Sequence, residues 1–159
     1  MTMVITVLIV IKTFLLINFT GSVEGGRRIE KAAAGTFATL GLEHGGKDPA
    51  YVLADAKLDH AIPNLVEGAF FNSGQCCCGI ERVYVHEKVY DDFVAGFIEE
   101  TRNYKLGNPL DPETSLGPMA NKRFAKVVRE QIAEAVAKGA RALVDPKLFP
   151  ADDGGAYIA

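Results

Sequence analysis

Cysteine is scarce in this chain, and what there is of it is not distributed. All three thiols in 159 residues are adjacent, at Cys76, Cys77 and Cys78. Neighbouring cysteines cannot easily adopt bridge geometry and one would be left over, which excludes a disulfide framework. A zinc site is also disfavoured, because tetrahedral ligation ordinarily uses spaced pairs and the chain has no second cluster. The thiols are expected to be reduced, as suits a cytoplasmic compartment. Basic charge is not in excess either. The net charge is −3, so the chain has no basic field for nucleic acid, which is excluded as a partner. Internal repeats and long low-complexity segments are missing. The length and an apolar content of 48 % allow one modest globular domain with a core.

Only the first residues form a long apolar run. Met1 to Ile17 reads MTMVITVLIVIKTFLLI. It is short for a transmembrane helix and Lys12 interrupts it. It lacks the positive flank and cleavage site of a signal peptide. Its Val, Ile and Thr content suits a buried strand. A membrane anchor is the alternative, and a segment foreign to the fold is a third reading.

Beyond it, strands alternate with helices, which predicts an α/β layer structure. An apolar run, the turn NFTGSVEGG and a helix over Val23–Ala34 come first, with Gly35 as the stop. A short strand is expected within Thr36–Leu42, a turn over Glu43–Pro49 and a buried strand at Ala50–Leu53. Asp55 or a near neighbour is the expected cap of a helix carrying Leu58, Ile62, Leu65, Val66, Ala69 and Phe70. Pro63 inside that pattern predicts a kink or a late helix start. Arg82–His86 alternates like a strand. Lys88–Tyr104 is amphipathic, with Tyr90, Phe93, Val94, Phe97, Ile98 and Thr101 on one face. Gly107–Pro118 is a long turn. Lys122–Lys138 is a helix with Phe124, Val127, Val128, Ile132, Ala135 and Val136 inward, and a short strand is expected at Ala142–Val144.

Three stretches carry chemistry. In FTGSVEGG, glycines at a strand-to-helix turn let a backbone approach a phosphate at the positive end of a helix, and Ser22 adds a hydroxyl. A tight turn with a capping serine explains the same pattern. In LEHGGK, Glu43 beside a sharp bend could be aimed into a cleft, where burial raises a carboxylate toward a useful base; a solvated surface glutamate is the plain alternative. In FFNSGQCCCG, a reactive cysteine needs a site that stabilises the thiolate, whereas free cysteine otherwise packs as a small hydrophobe. Three successive side chains are not expected to face one way. Gly74 and Gly79 flank the run and would let backbone N–H groups face a reacting oxygen. Composition does not choose among Cys76, Cys77 and Cys78.

Taken in order, FTGSVEGG, LEHGGK and FFNSGQCCCG resemble the aldehyde dehydrogenase superfamily. The resemblance continues through RVYVHEKVYDDFV, GNPLDPETSLGPM and the helix ending in AKGA, and Glu43 stands 34 residues before Cys77 at the family's spacing. The resemblance implies that Gln75 marks Cys77 as the nucleophile, through the family's Q-x-C element, with Cys76 and Cys78 as packing neighbours. It implies Glu43 as general base and Gly21, Ser22 and Gly26 as the turn that meets the pyrophosphate of NAD or NADP, and it calls for no metal. The implied reaction is oxidation of a small-molecule aldehyde to a carboxylic acid through a thiohemiacetal and a thioester on cysteine.

The same resemblance predicts an incomplete fold. Residues 1–17 are a hydrophobic lead outside the family pattern, 18–44 a remnant of the NAD(P)-binding domain and 45–159 a partial catalytic domain. The family's ribose-binding Lys, its oxyanion-hole Asn, its E-x-F-G-P element and its oligomerisation segment have no counterpart, although the family forms homo-oligomers. His44 stands where the family has Leu. The isolated chain is therefore expected to be a weak or inactive dehydrogenase. The alternatives are a cofactor-independent thiol esterase and a non-catalytic protein, membrane-associated through residues 1–17.

Overall fold

The structure is a computed structural model that describes residues 15–159. Apart from its last three residues, the apolar lead falls outside that range, and with it the membrane-anchor reading. Among the described residues no helix is long and apolar enough to cross a membrane. The chain forms two compact units, Met1–Gly46 and Lys47–Ala159, each described by itself.

The first unit is a strand–helix–strand arrangement. Strand β1 (Leu16–Thr20) pairs in parallel with β2 (Thr39–Glu43), with Leu16 opposite Thr39 and Thr20 opposite Glu43. Helix α1 (Val23–Ala33) connects them and buries Gly26, Ile29 and Ala33. Its start is specified locally. Ser22 is extended and its hydroxyl accepts the Gly25 N–H at 3.1 Å, which satisfies one of the unpaired donors of the first turn. Glu24 in the first turn and Lys31 in the last complement the helix dipole. The predicted strand at 36–42 lies slightly later, because Thr36 and Phe37 belong to the turn that leaves α1; the Thr36 hydroxyl donates to the Ala33 carbonyl at 2.6 Å.

The second unit repeats the scheme. Strands β3 (Asp48–Val52) and β4 (Ile80–Val85) are parallel, with Ala50 opposite Val83 and Val52 opposite Val85. Helix α2 (Leu58–Phe70) crosses between them and packs on α3 (Tyr90–Arg102). Val52, Val66 and Phe93 are almost fully buried. The Phe70 ring meets Phe97 and Tyr104 at 6.3 and 5.6 Å between centroids, and Phe93 meets Phe97 at 5.7 Å. Such tilted and edge-on pairs add to plain burial. A final helix, α4 (Lys122–Ala137), ends in a Schellman motif: Ala140 N–H reaches the Ala135 carbonyl and Gly139 N–H the Val136 carbonyl.

Several sequence expectations are corrected here. The strand at 48–52 is half-buried rather than buried: Val52 is 3 % exposed but Tyr51 is 67 %. Helix α2 starts at Leu58 without a side-chain cap, so Asp55 does not cap it. It also does not start late, and runs through Pro63. Tyr90 opens α3 and is exposed. Residues 142–144 form no strand; they line a cavity of about 270 Å³ with Phe149, Leu106 and Tyr104. The largest departure is α4. Phe124, Val127, Ile132 and Val136 are each more than two-fifths exposed, and only Ala125 is buried. Periodicity reports that a helix has an apolar side; it does not supply an element to cover it.

Candidate functional site

The residues of the predicted cofactor turn and base come together in the first unit. Gly21 leaves β1 and its N–H donates to the Glu43 carbonyl at 2.9 Å. The end of β2 is thereby fixed beside the N-terminus of α1. Glu43 is exposed, so it has no buried cleft of its own. Two aromatic rings fill the space under the turn. A Cβ placed on Gly21 or Gly25 would strike the Phe19 ring, and one on Gly26 would overlap the His44 imidazole. Phe19 and His44 meet edge to face at 6.5 Å. The glycines thus leave room for these two rings within the unit. His44 is itself exposed and lays its ring edge against Phe19 beside the turn.

For a dinucleotide phosphate, this unit offers the Ser22 hydroxyl as a donor and the first-turn N–H groups of α1, an eleven-residue helix, other than those of Gly25 and Gly26, which Ser22 takes. The chemistry of that donor set fits an anion. Glu24 lies in the same turn, but its carboxylate is engaged by Arg28 at 3.0 Å.

Cys77 belongs to the second unit, in the loop between α2 and β4. The helix ends in a 3-10 turn over Phe71–Gly74 whose backbone is left-handed at three successive positions: φ is 52° at Asn72, 59° at Ser73 and 70° at Gly74. Glycine tolerates this region, asparagine less easily and serine poorly. Conformations of this kind persist only where surrounding bonds fix them. Here they do. The Ser73 hydroxyl donates to the Gly117 carbonyl at 2.7 Å. Gln75 is held at both ends of its amide: its Nε2 donates to the Asn72 carbonyl at 3.0 Å, and its Oε1 accepts the Ala120 N–H at 2.9 Å. Asn72 Nδ2 returns a bond to the Gln75 carbonyl. Sequence reading missed these anchors, because the partners lie 44 and 45 residues away and no local pattern links them.

After Gln75 the chain curls again. Gly79 N–H donates to the Cys76 carbonyl at 3.1 Å, closing a turn with Cys77 and Cys78 at its centre. The Gly79 N–H is therefore spent on the turn and is not free for a reacting oxygen, contrary to expectation. The three side chains also converge where divergence was expected: their sulfurs all lie within 4.8 Å of one another, and those of Cys76 and Cys78 are 3.3 Å apart. Cys76 is half-buried; Cys77 and Cys78 are exposed, so Cys78 does not pack inward. The backbone N–H of Cys78, then its thiol, hold the Cys76 thiol below the ordinary cysteine range. The Cys78 thiol is pushed up, first by its hydrogen bond to Cys76 and then by the negative charge of Cys76 and Cys77.

The chain is similar to known proteins in sequence and in fold. The model of the aldehyde dehydrogenase family matches residues 3–159. The 3,6-anhydro-alpha-L-galactose dehydrogenase of Vibrio sp. (strain EJY3) is 43 % identical over 128 residues, which are 80 % of this chain and 27 % of that protein. Human retinal dehydrogenase 2 is 40 % identical over 126 residues, 79 % of this chain and 24 % of its own length. The crystal structure of lactaldehyde dehydrogenase from Escherichia coli superposes with a TM-score of 0.79 at 37 % identity, over 82 % of this chain and 28 % of that one. The chain spans about a quarter of the length of the curated relatives it matches. The family match runs without a break through the glycine turn, the glutamate and the cysteine loop, and solved relatives share the fold over about four-fifths of the chain: the chain belongs to the aldehyde dehydrogenase family.

Proposed function

We propose that this chain carries the nucleophile, the general base and the cofactor turn of an NAD(P)-dependent aldehyde dehydrogenase that converts a small-molecule aldehyde to a carboxylic acid. The observation that carries the reading is the anchored loop: a strained backbone held by Gln75 and Ser73, with Cys77 exposed at the centre of the turn that follows. The division at 44/45 between nucleotide-binding and catalytic parts is supported by the boundary between compact units at Gly46.

In this reading the Cys77 thiolate attacks the carbonyl carbon and forms a thiohemiacetal, and the Cys77 N–H stabilises the oxyanion. Ser22 and the first turn of α1 would hold the pyrophosphate of NAD or NADP, and the nicotinamide would supply the hydride acceptor. The cysteine is left acylated as a thioester. Glu43 takes a proton from water, the resulting hydroxide adds to the thioester, and the Cys77 thiolate leaves. The three thiols are free, in keeping with a cytoplasmic site of action.

The test separates the thiol from the redox step. Purified chain is mixed with 4-nitrophenyl acetate. A stoichiometric burst of nitrophenolate is expected, lost in Cys77→Ser and kept in Cys76→Ser. Glu43→Gln should retain the burst but slow the steady phase about 10²-fold, the scale of general-base catalysis. Reduced cofactor formed from NAD+ or NADP+ with a panel of aldehydes then reports the full reaction. A burst that survives in Cys77→Ser refutes the assignment of the nucleophile.

A further inference from the structure

Zinc spacing rules disfavour adjacent cysteines, but they assume that neighbouring side chains diverge. In this loop they do not. The left-handed run at 72–74 and the turn closed by Gly79 N–H gather three consecutive sulfurs within 4.8 Å of one another. Zinc–thiolate bonds of about 2.3 Å in a tetrahedron place their sulfurs about 3.8 Å apart. The closest pair here, at 3.3 Å, and the outer limit of 4.8 Å bracket that distance. Two of the three thiols are exposed and the third is half-buried, so an ion has a path in and a fourth position remains for water or an exogenous ligand. Thiolates are also the soft donors that select zinc over hard cations.

We infer that Cys76, Cys77 and Cys78 form a three-thiolate site for a soft divalent cation of the zinc class, with one open coordination position. Binding displaces the thiol protons to solvent, so affinity rises with pH. The site needs no aldehyde or dinucleotide, although it shares Cys77 with the proposed reaction. If that reaction is also correct, metal on Cys77 occupies the nucleophile and blocks acylation reversibly.

The experiment uses the reduced full chain and Zn2+ alone, titrated against a chromophoric chelator. One equivalent is expected to bind, with affinity falling at least tenfold in each of Cys76→Ser, Cys77→Ser and Cys78→Ser. A measurement on the unsubstituted chain guards against misfolded variants: alkylation by iodoacetamide, read peptide by peptide in a mass spectrometer, should slow at least tenfold at all three cysteines when Zn2+ is present. Absence of stoichiometric binding, binding indifferent to loss of Cys76 or Cys78, or protection of fewer than three thiols overturns the inference. The ester burst without metal reports on the catalytic assignment separately, so either can fail alone.

Discussion

Replacing Gln75 with Ala removes the clamp on the thiol loop and leaves the thiols in place. Two side-chain hydrogen bonds are lost, from Nε2 to the Asn72 carbonyl and from the Ala120 N–H to Oε1. At about 0.5–1.5 kcal/mol each, their loss costs about 1–3 kcal/mol. The lower half of that range applies, because Gln75 is only half-buried and water replaces part of what is removed. The left-handed residues Asn72 and Ser73 carry about 1–3 kcal/mol of strain each, so the lost bonds are comparable with the strain they restrain. The loop should relax even though the helices stay folded. For a chain of this size about 1–2 kcal/mol corresponds to a fall in Tm of about 2–8 °C. Hydrogen exchange should accelerate at residues 72–79 and not in α3, and the alkylation rates of the three cysteines should converge toward one value. Gln75→Glu keeps the acceptor for Ala120 and loses only the donor, so it should fall between. Unchanged exchange at 72–79 together with unchanged alkylation rates would refute the claim that Gln75 shapes this loop.

Other outcomes follow from the same geometry. Cys76 should be alkylated at lower pH than an ordinary cysteine and Cys78 at higher pH, in the directions in which their thiols are shifted; residue-resolved labelling across a pH series checks the order. Gly26→Ala meets only the tip of the exposed His44 side chain, which can turn away, so it should stabilise the chain by up to about 1 kcal/mol through helix propensity; a lowered Tm would defeat that account. Arg129 ties α4 to the C-terminal segment through Asp152 at 2.6 Å and the carbonyls of Gly155 and Tyr157, so Arg129→Met should free that segment to proteolysis. Burial alone would raise the Asp152 carboxyl, but hydrogen bonds from Gly154, Ala159 and Arg129 outweigh it and hold it lowered. Its stabilisation is therefore present above about pH 4 and is lost as pH falls below that value through the lowered folded pKa; protease sensitivity of the segment against pH reads this directly. Ile132→Asp, which gives up the covered half of a side chain that is 44 % exposed, should lower stability by about 1 kcal/mol, read by thermal melting.

What could be read from the sequence was whatever short-range chemistry decides. Ser22 caps α1 because its hydroxyl reaches a donor three residues on, and Gly139 stops α4 because the last turn closes through it; both are written in a few adjacent letters. The neighbourhood of Gly21 and Glu43 was legible only as two separate motifs, since the bond between them runs across a parallel strand pair. The clamp on the cysteine loop was illegible, because nothing near Ser73 or Gln75 points to Gly117 or Ala120. The inward assignment for α4 failed for the converse reason: Phe124, Val127 and Ile132 repeat at helical spacing whether or not anything packs on them. Convergence of the three sulfurs was missed because alternation of side chains was assumed in a stretch whose backbone is neither strand nor helix.

The tethers from Ser73 and Gln75 make the sulfur chemistry answerable to a distant length of chain. Gly117 closes the long turn that follows α3 and Ala120 stands just past it, so adding or deleting a residue early in that turn would alter the slack in both tethers at once. Thiol reactivity would then drift with loop length alone, every reacting group unaltered, and the ten letters around the cysteines, moved to another scaffold, would keep their spelling and lose their shape.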